Sequence, residues 1–155
     1  MKKNLLIIFL TYFILTVFSY GAATSSESKS SDYDKAAYII KKAKKLEKKG
    51  KIEKAKKRYN KALEYLKKSN SEDPNNPDTL NYLGFALRKL GYIEDAEKYY
   101  LMGLQIKPDH NGINEYLGEL YLNTNRLVLA KERLEVLKKC DCEEYEELKE
   151  LIEKK

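Results

Sequence analysis

Residues Pro77 to His110 read PDTLNYLGFALRKLGYIEDAEKYYLMGLQIKPDH. Leu80, Leu83, Gly84 and Leu87 recur at i, i+3, i+4 and i+7, which puts them on one face of a helix. Gly91 follows the last apolar residue, where a helix C-cap takes φ > 0. A second period runs through Ile93, Ala96, Tyr100 and Leu104 to Pro108, which cannot continue a helix. Gly84 on the first helix and Ala96 and Gly103 on the second are small, so the two helices approach closely. The stretch predicts a helix–turn–helix hairpin.

The spacing recurs on both sides. One period on, Leu117-Gly118-x-x-Tyr121 repeats the first helix, Asn125 stands at the turn, and Ala130, Leu134 and Leu137 repeat the second. Asparagine also tolerates the left-handed conformation a turn needs. One period back, Ala43, Leu46, Gly50, Ala55, Tyr59 and Ala62 fit, but Lys42 stands where an apolar residue is expected. Here the closing proline comes at Pro74, seven residues late. Seven residues is close to two helical turns. The extra residues Ser69 to Asp73 either lengthen the second helix or form a longer loop.

These residues resemble the tetratricopeptide repeat family, most specifically in 77–110, well in 111–142 and more loosely in 36–76. The resemblance implies an all-α fold, an α-solenoid of about three helix–turn–helix repeats. Residues 143–154 carry Tyr145, Leu148, Leu151 and Ile152 on one stripe among acidic residues, as a C-terminal capping helix over the open end would. A unit of this kind needs stacked neighbours to bury its apolar face, and the stack leaves a concave groove. The implied function is a non-catalytic adaptor or scaffold holding a protein or peptide segment there.

Mapped by repeat register, the groove is expected to present Lys41, Lys44 and Lys48 from the first repeat. Asn81, Tyr82, Phe85, Arg88 and Lys89 come from the second, and Glu115, Tyr116 and Glu119 from the third. Phe85 is expected to project with Tyr82 on the groove side, because Leu80, Leu83, Gly84 and Leu87 already fill the packing face. Exposed aromatics of this sort anchor protein interfaces. The groove runs from basic through aromatic to acidic. Members of the family that clamp a C-terminal carboxylate use Lys and Asn at fixed positions; here Ile40, Lys44, Tyr82, Gly112 and Tyr116 stand there, and the pattern is not met.

The N-terminus reads differently. Lys2 and Lys3 precede an apolar run from Leu5 to Phe18, and Gly21 and Ala23 fit a cleavage site after Ala23. Residues 1–23 are expected to be a secretory signal peptide. Residues 24–32 then form a polar, Ser-rich linker to a domain at 33–155. The expected localisation is exported and periplasmic, with no membrane contact after cleavage. The rival reading is an uncleaved inner-membrane anchor for a subunit of an envelope complex.

The formal charge of +6 hides an asymmetry. Residues 34–68 carry 15 Lys and Arg against 4 Asp and Glu, whereas residues 69–155 carry 12 against 18. The basic hairpin is either a plain solvated face or an electrostatic patch for an acidic partner. Nucleic acid is not expected as a partner: the basic helices lack interleaved aromatics for base stacking. Self-association, from monomer to weak homo-oligomer, is compatible with the apolar ends of a short array.

Cys140 and Cys142 are the only cysteines. An even count in an exported chain suggests a disulfide. The alternative is thiol redox or metal handling by the pair. With a single histidine, His110, and two thiols, no metal site or cofactor is expected, and no phosphate loop or nucleophile elbow is present. The chain is not expected to be an enzyme.

Overall fold

The structure, a computed structural model, describes residues 31–155. It is all-α: α1 (Asp32–Lys48), α2 (Ile52–Glu72), α3 (Pro77–Leu90), α4 (Ile93–Ile106), α5 (Asn111–Asn123), α6 (Leu127–Leu137) and α7 (Glu143–Glu153). The first six form three hairpins, α1 with α2, α3 with α4 and α5 with α6. Each hairpin packs on the next, and α7 closes the stack against α5 and α6. The expected array of three repeats with a cap is present. The N-terminal segment read as a signal peptide lies outside the described residues.

Local chemistry fixes the helix ends. Ser31 accepts from the Asp34 backbone N–H at 3.1 Å while the Asp34 carboxylate accepts from the Ser31 N–H at 3.1 Å, a closed capping box. Asn76 caps α3 by accepting from Thr79 N–H at 3.1 Å, with Pro77 at the first helical position. His110 caps α5 through Nδ1, which accepts from Ile113 N–H at 3.2 Å. The three hairpin turns carry the only positive φ values among the described residues: Gly50 at 67°, Gly91 at 91° and Asn125 at 59°.

Two expectations need correction or completion. The linker ends before residue 32, because Asp32 already belongs to the first helix and Ser31 caps it. Asp32 is buried and binds Lys35 at 2.7 Å and Lys68 at 2.6 Å, which hold its carboxyl down at about 2. The extra residues Ser69 to Glu72 lengthen α2 rather than forming a loop. Two added turns shift the apolar stripe by only about 20°, so the helix keeps its face on the core. Ser69 then meets Thr79 at 3.2 Å, tying the extension to the next repeat.

The small residues act where two helices close. A Cβ on Gly84 would lie 2.5 Å from Tyr100 Cε1, so the buried Tyr100 ring needs glycine opposite it. Gly118 plays the same part for Leu148 of α7, which is how the cap docks. Lys42 is exposed because it stands on the open N-terminal end of the stack. Its counterparts Leu83 and Leu117 are buried against a preceding repeat, and among the described residues none precedes Lys42.

Candidate partner-binding groove

Helices α1, α3 and α5 are the first helices of their hairpins, and side chains from all three meet at one groove. Its main cavity, about 480 Å³, is lined by Tyr38, Ile40, Lys41, Lys44, Tyr82 and Tyr116, with Lys45 and Lys48 at the edge. A second depression of about 240 Å³ continues it, from Lys44 and Lys48 past Tyr116 to Glu115, Glu143, Glu144 and Glu147. The chain thus brings a lysine-rich wall on α1 opposite an acidic wall on α5 and α7.

Tyrosines line the middle. Tyr82 stacks on Tyr33 with centroids 5.6 Å apart, and burial raises its hydroxyl pKa. Lys44 Nζ donates to the Tyr116 hydroxyl at 3.4 Å and sits 5.7 Å from that ring, a cation–π distance. Burial likewise pushes the Tyr116 hydroxyl up, so it remains a neutral donor and acceptor.

Phe85 does not project into the groove as expected. It is only 2 % exposed and lies in the core between the repeats. The curvature of the stack brings Tyr59 of α2 and Tyr116 of α5 over it, at centroid distances of 5.8 Å and 4.7 Å. Asn81, Arg88 and Glu115 are buried too. Arg88 Nη1 binds Glu119 Oε2 at 2.6 Å, with its guanidinium 5.6 Å from the Phe85 ring and 5.7 Å from the Tyr116 ring. Lys89 is half-buried and held by Glu47 at 3.1 Å; Glu47 also accepts from Tyr59 at 2.9 Å. These residues are therefore internal struts between repeats. The candidates open to a partner are Lys41, Lys44 and Lys48, with Tyr82 and Tyr116 half-buried beside them.

Glu115 carries the strongest perturbation at the acidic end. Burial, a hydrogen bond to Glu147 and the charges of Glu119 and Glu147 push its carboxyl up to about 9, with Lys44 opposing. It is protonated at neutral pH. The contribution of α7 to the groove, through Glu143, Glu144 and Glu147, escaped the sequence reading. Its only trace was the run of glutamates at the start of the last helix.

Cys140 and Cys142 are disulfide-bonded and no free cysteine remains among the described residues. Nor do the described residues hold a group of three or more His, Cys, Asp and Glu able to take a metal ion. His110 is occupied as the α5 cap, its Nε2 3.1 Å from Asp78. Among the described residues no helix is long and apolar enough to cross a membrane.

The sequence model of the tetratricopeptide repeat matches residues 53–110. The chain has the tetratricopeptide repeat fold. The matched span runs from α2 into the cap of α5, and the three hairpins and capping helix extend the same architecture on either side. No curated protein matches this repeat protein in sequence. Two solved structures share its fold at a TM-score of 0.55. One is the Yersinia enterocolitica type III secretion translocator chaperone SycD, at 16% identity over 78% of this chain and 83% of that one. The other is PcrH in complex with the chaperone binding region of PopD, at 14% identity over 78% and 90%.

Proposed function

We propose that this repeat protein is a non-catalytic adaptor that holds a segment of a partner protein in its concave groove. The observation that carries the reading is the open cavity whose lysine wall, Lys41, Lys44 and Lys48, faces Tyr82 and Tyr116. Lys41 and Lys48 have no carboxylate within ion-pair distance among the described residues, and Lys44 has only a tyrosine hydroxyl. A segment with acidic, then apolar, then basic character along its length complements the wall-to-wall gradient. PcrH, which shares the fold, is seen with a bound segment of PopD, an arrangement of the kind proposed here. The layout of residues 1–23 supports an exported, periplasmic site of action.

The test is site-specific photo-crosslinking in the native cell. A crosslinker at Tyr82 is compared with one at Asn60, which is exposed on α2. Adducts with a common partner from Tyr82 alone, lost when Lys41→Glu and Lys44→Glu are added, support the groove. Equal adducts from both positions, or adducts indifferent to the charge reversals, would move the interface elsewhere.

A further inference from the structure

The two ends of the stack carry opposite charge. In α1 the residues on the open N-terminal end are Tyr38, Lys42, Lys45 and Lys49. The equivalent residues of the later repeats include Leu83, Ala86, Leu117 and Leu120, all buried. In those repeats this stripe stacks on the preceding hairpin, as Ile113 does over Gly103. The first repeat therefore presents a stacking surface with lysines in place of the apolar residues. None of Lys42, Lys45 and Lys49 has a carboxylate partner among the described residues. Placed three and four residues apart they repel one another, and among the described residues Lys42 is offset only by the Tyr38 ring, 4.2 Å from its Nζ.

At the other end, α7 buries Leu148 against Gly118 and turns Glu146, Glu150 and Glu153 outward. Among the described residues their only ion pairs are within the helix, Glu146 to Lys149 and Glu150 to Lys154. Lys42, Lys45 and Lys49 are spaced by three and four residues; Glu153, Glu150 and Glu146, read backwards, have the same spacing. At 1.5 Å per residue the two triplets match along antiparallel helices over about 10 Å.

We infer that the α1 end of one molecule docks on the α7 end of a second copy, antiparallel, as the next helix of the array would. The contact is heterologous, so it repeats from copy to copy and makes short open chains rather than a closed dimer. It adjoins the groove, whose cavity Tyr38 and Lys45 also border, but Lys42 and Lys49 lie outside that cavity. The molecule's net charge of +6 opposes association only weakly, because at about 0.1 M salt charges beyond roughly 10 Å are screened and the facing triplets are not.

Sedimentation velocity on the chain as it matures in the expressing cell tests this. The wild type should associate at about 0.05 M salt, with an association constant at least about tenfold lower at about 0.5 M. K42E/K45E/K49E and E146K/E150K/E153K should each sediment as monomers. An equimolar mixture of the two should associate again, since each N-terminal end then meets an oppositely charged C-terminal end. Circular dichroism of each variant checks that the helices persist. A wild type that stays monomeric at low salt overturns the inference, as does association untouched by both reversals or a mixture that fails to recover it.

Discussion

The rings of Phe85 and Tyr116 lie 4.7 Å apart, tilted by 48°, and bind the second repeat to the third. Tyr59 meets the other side of Phe85 edge-on, so one side chain joins three hairpins. Replacing it opens a cavity where the repeats meet. Phe85→Ala should lower the unfolding free energy by about 3–5 kcal/mol, and Phe85→Leu by clearly less. Urea denaturation followed by circular dichroism measures both. A loss under 1 kcal/mol for the alanine variant would mean that Phe85 is an exposed groove residue after all.

Gly84 and Gly91 are both glycines for backbone or space reasons, but the reasons differ. At Gly84 an added methyl would fall 2.5–2.8 Å from three atoms of the fully buried Tyr100 ring. Gly84→Ala should cost about 1–3 kcal/mol through overpacking, and Tyr100→Leu in the same chain should recover part of it. At Gly91 nothing lies within 4 Å of a Cβ, yet φ is 91°. Gly91→Ala should cost about 1–2 kcal/mol through strain alone, with no rescue by Tyr100→Leu. Thermal melts of the two singles and two doubles separate the cases.

Arg88 is buried on Glu119, and two of its three nitrogens find no partner among the described residues. Removing the carboxylate leaves an uncompensated buried charge, whereas removing the arginine leaves a glutamate whose side chain, 21 % exposed, water can reach. Glu119→Ala should therefore destabilise by about 3–5 kcal/mol and exceed Arg88→Met, although Glu119 is the more exposed of the two. Denaturant midpoints rank them; the reverse order would show that Arg88 acts mainly by packing against Phe85 and Tyr116.

What could be read from the sequence divides along physical lines. Gly91, Asn125, Ala96 and Ala130 act within one hairpin, through φ or through contact with a helix a few residues away, so their spacing carries the fold. Phe85 and Glu115 are buried by residues from other repeats, Tyr59 and Tyr116 in one case and Glu147 in the other. Repeat register places a residue on a face but says nothing of how sharply the stack curves over it. Lys42 shows the converse: as a departure from the repeat pattern it is uninformative in sequence, and its position on the open end explains it. The extended α2 was undecidable because seven residues suit two helical turns and a loop equally well.

Glu115 makes stability fall as pH rises. Its carboxyl stands at about 9 in the folded chain against an ordinary 4.5. Burial leads, and Glu147 on α7 and Glu119 on α5 add to it, while Lys44 on α1 works against it. The folded state therefore holds a proton that the unfolded chain releases above pH 4.5. This group's contribution is complete below that pH and is lost as pH climbs through about 9. For one proton the slope in between is at most about 1.4 kcal/mol per pH unit. Glu115→Gln keeps a neutral side chain of the same shape in the site and removes the titration. Urea midpoints at pH 5, 6.5 and 8 should decline for the wild type and decline less for the variant, which becomes the more stable of the two at pH 8. Parallel profiles would place the ionisation of Glu115 in the ordinary carboxylate range, with Lys44 outweighing burial, and α7 would then dock on a charged Glu115 rather than a neutral one.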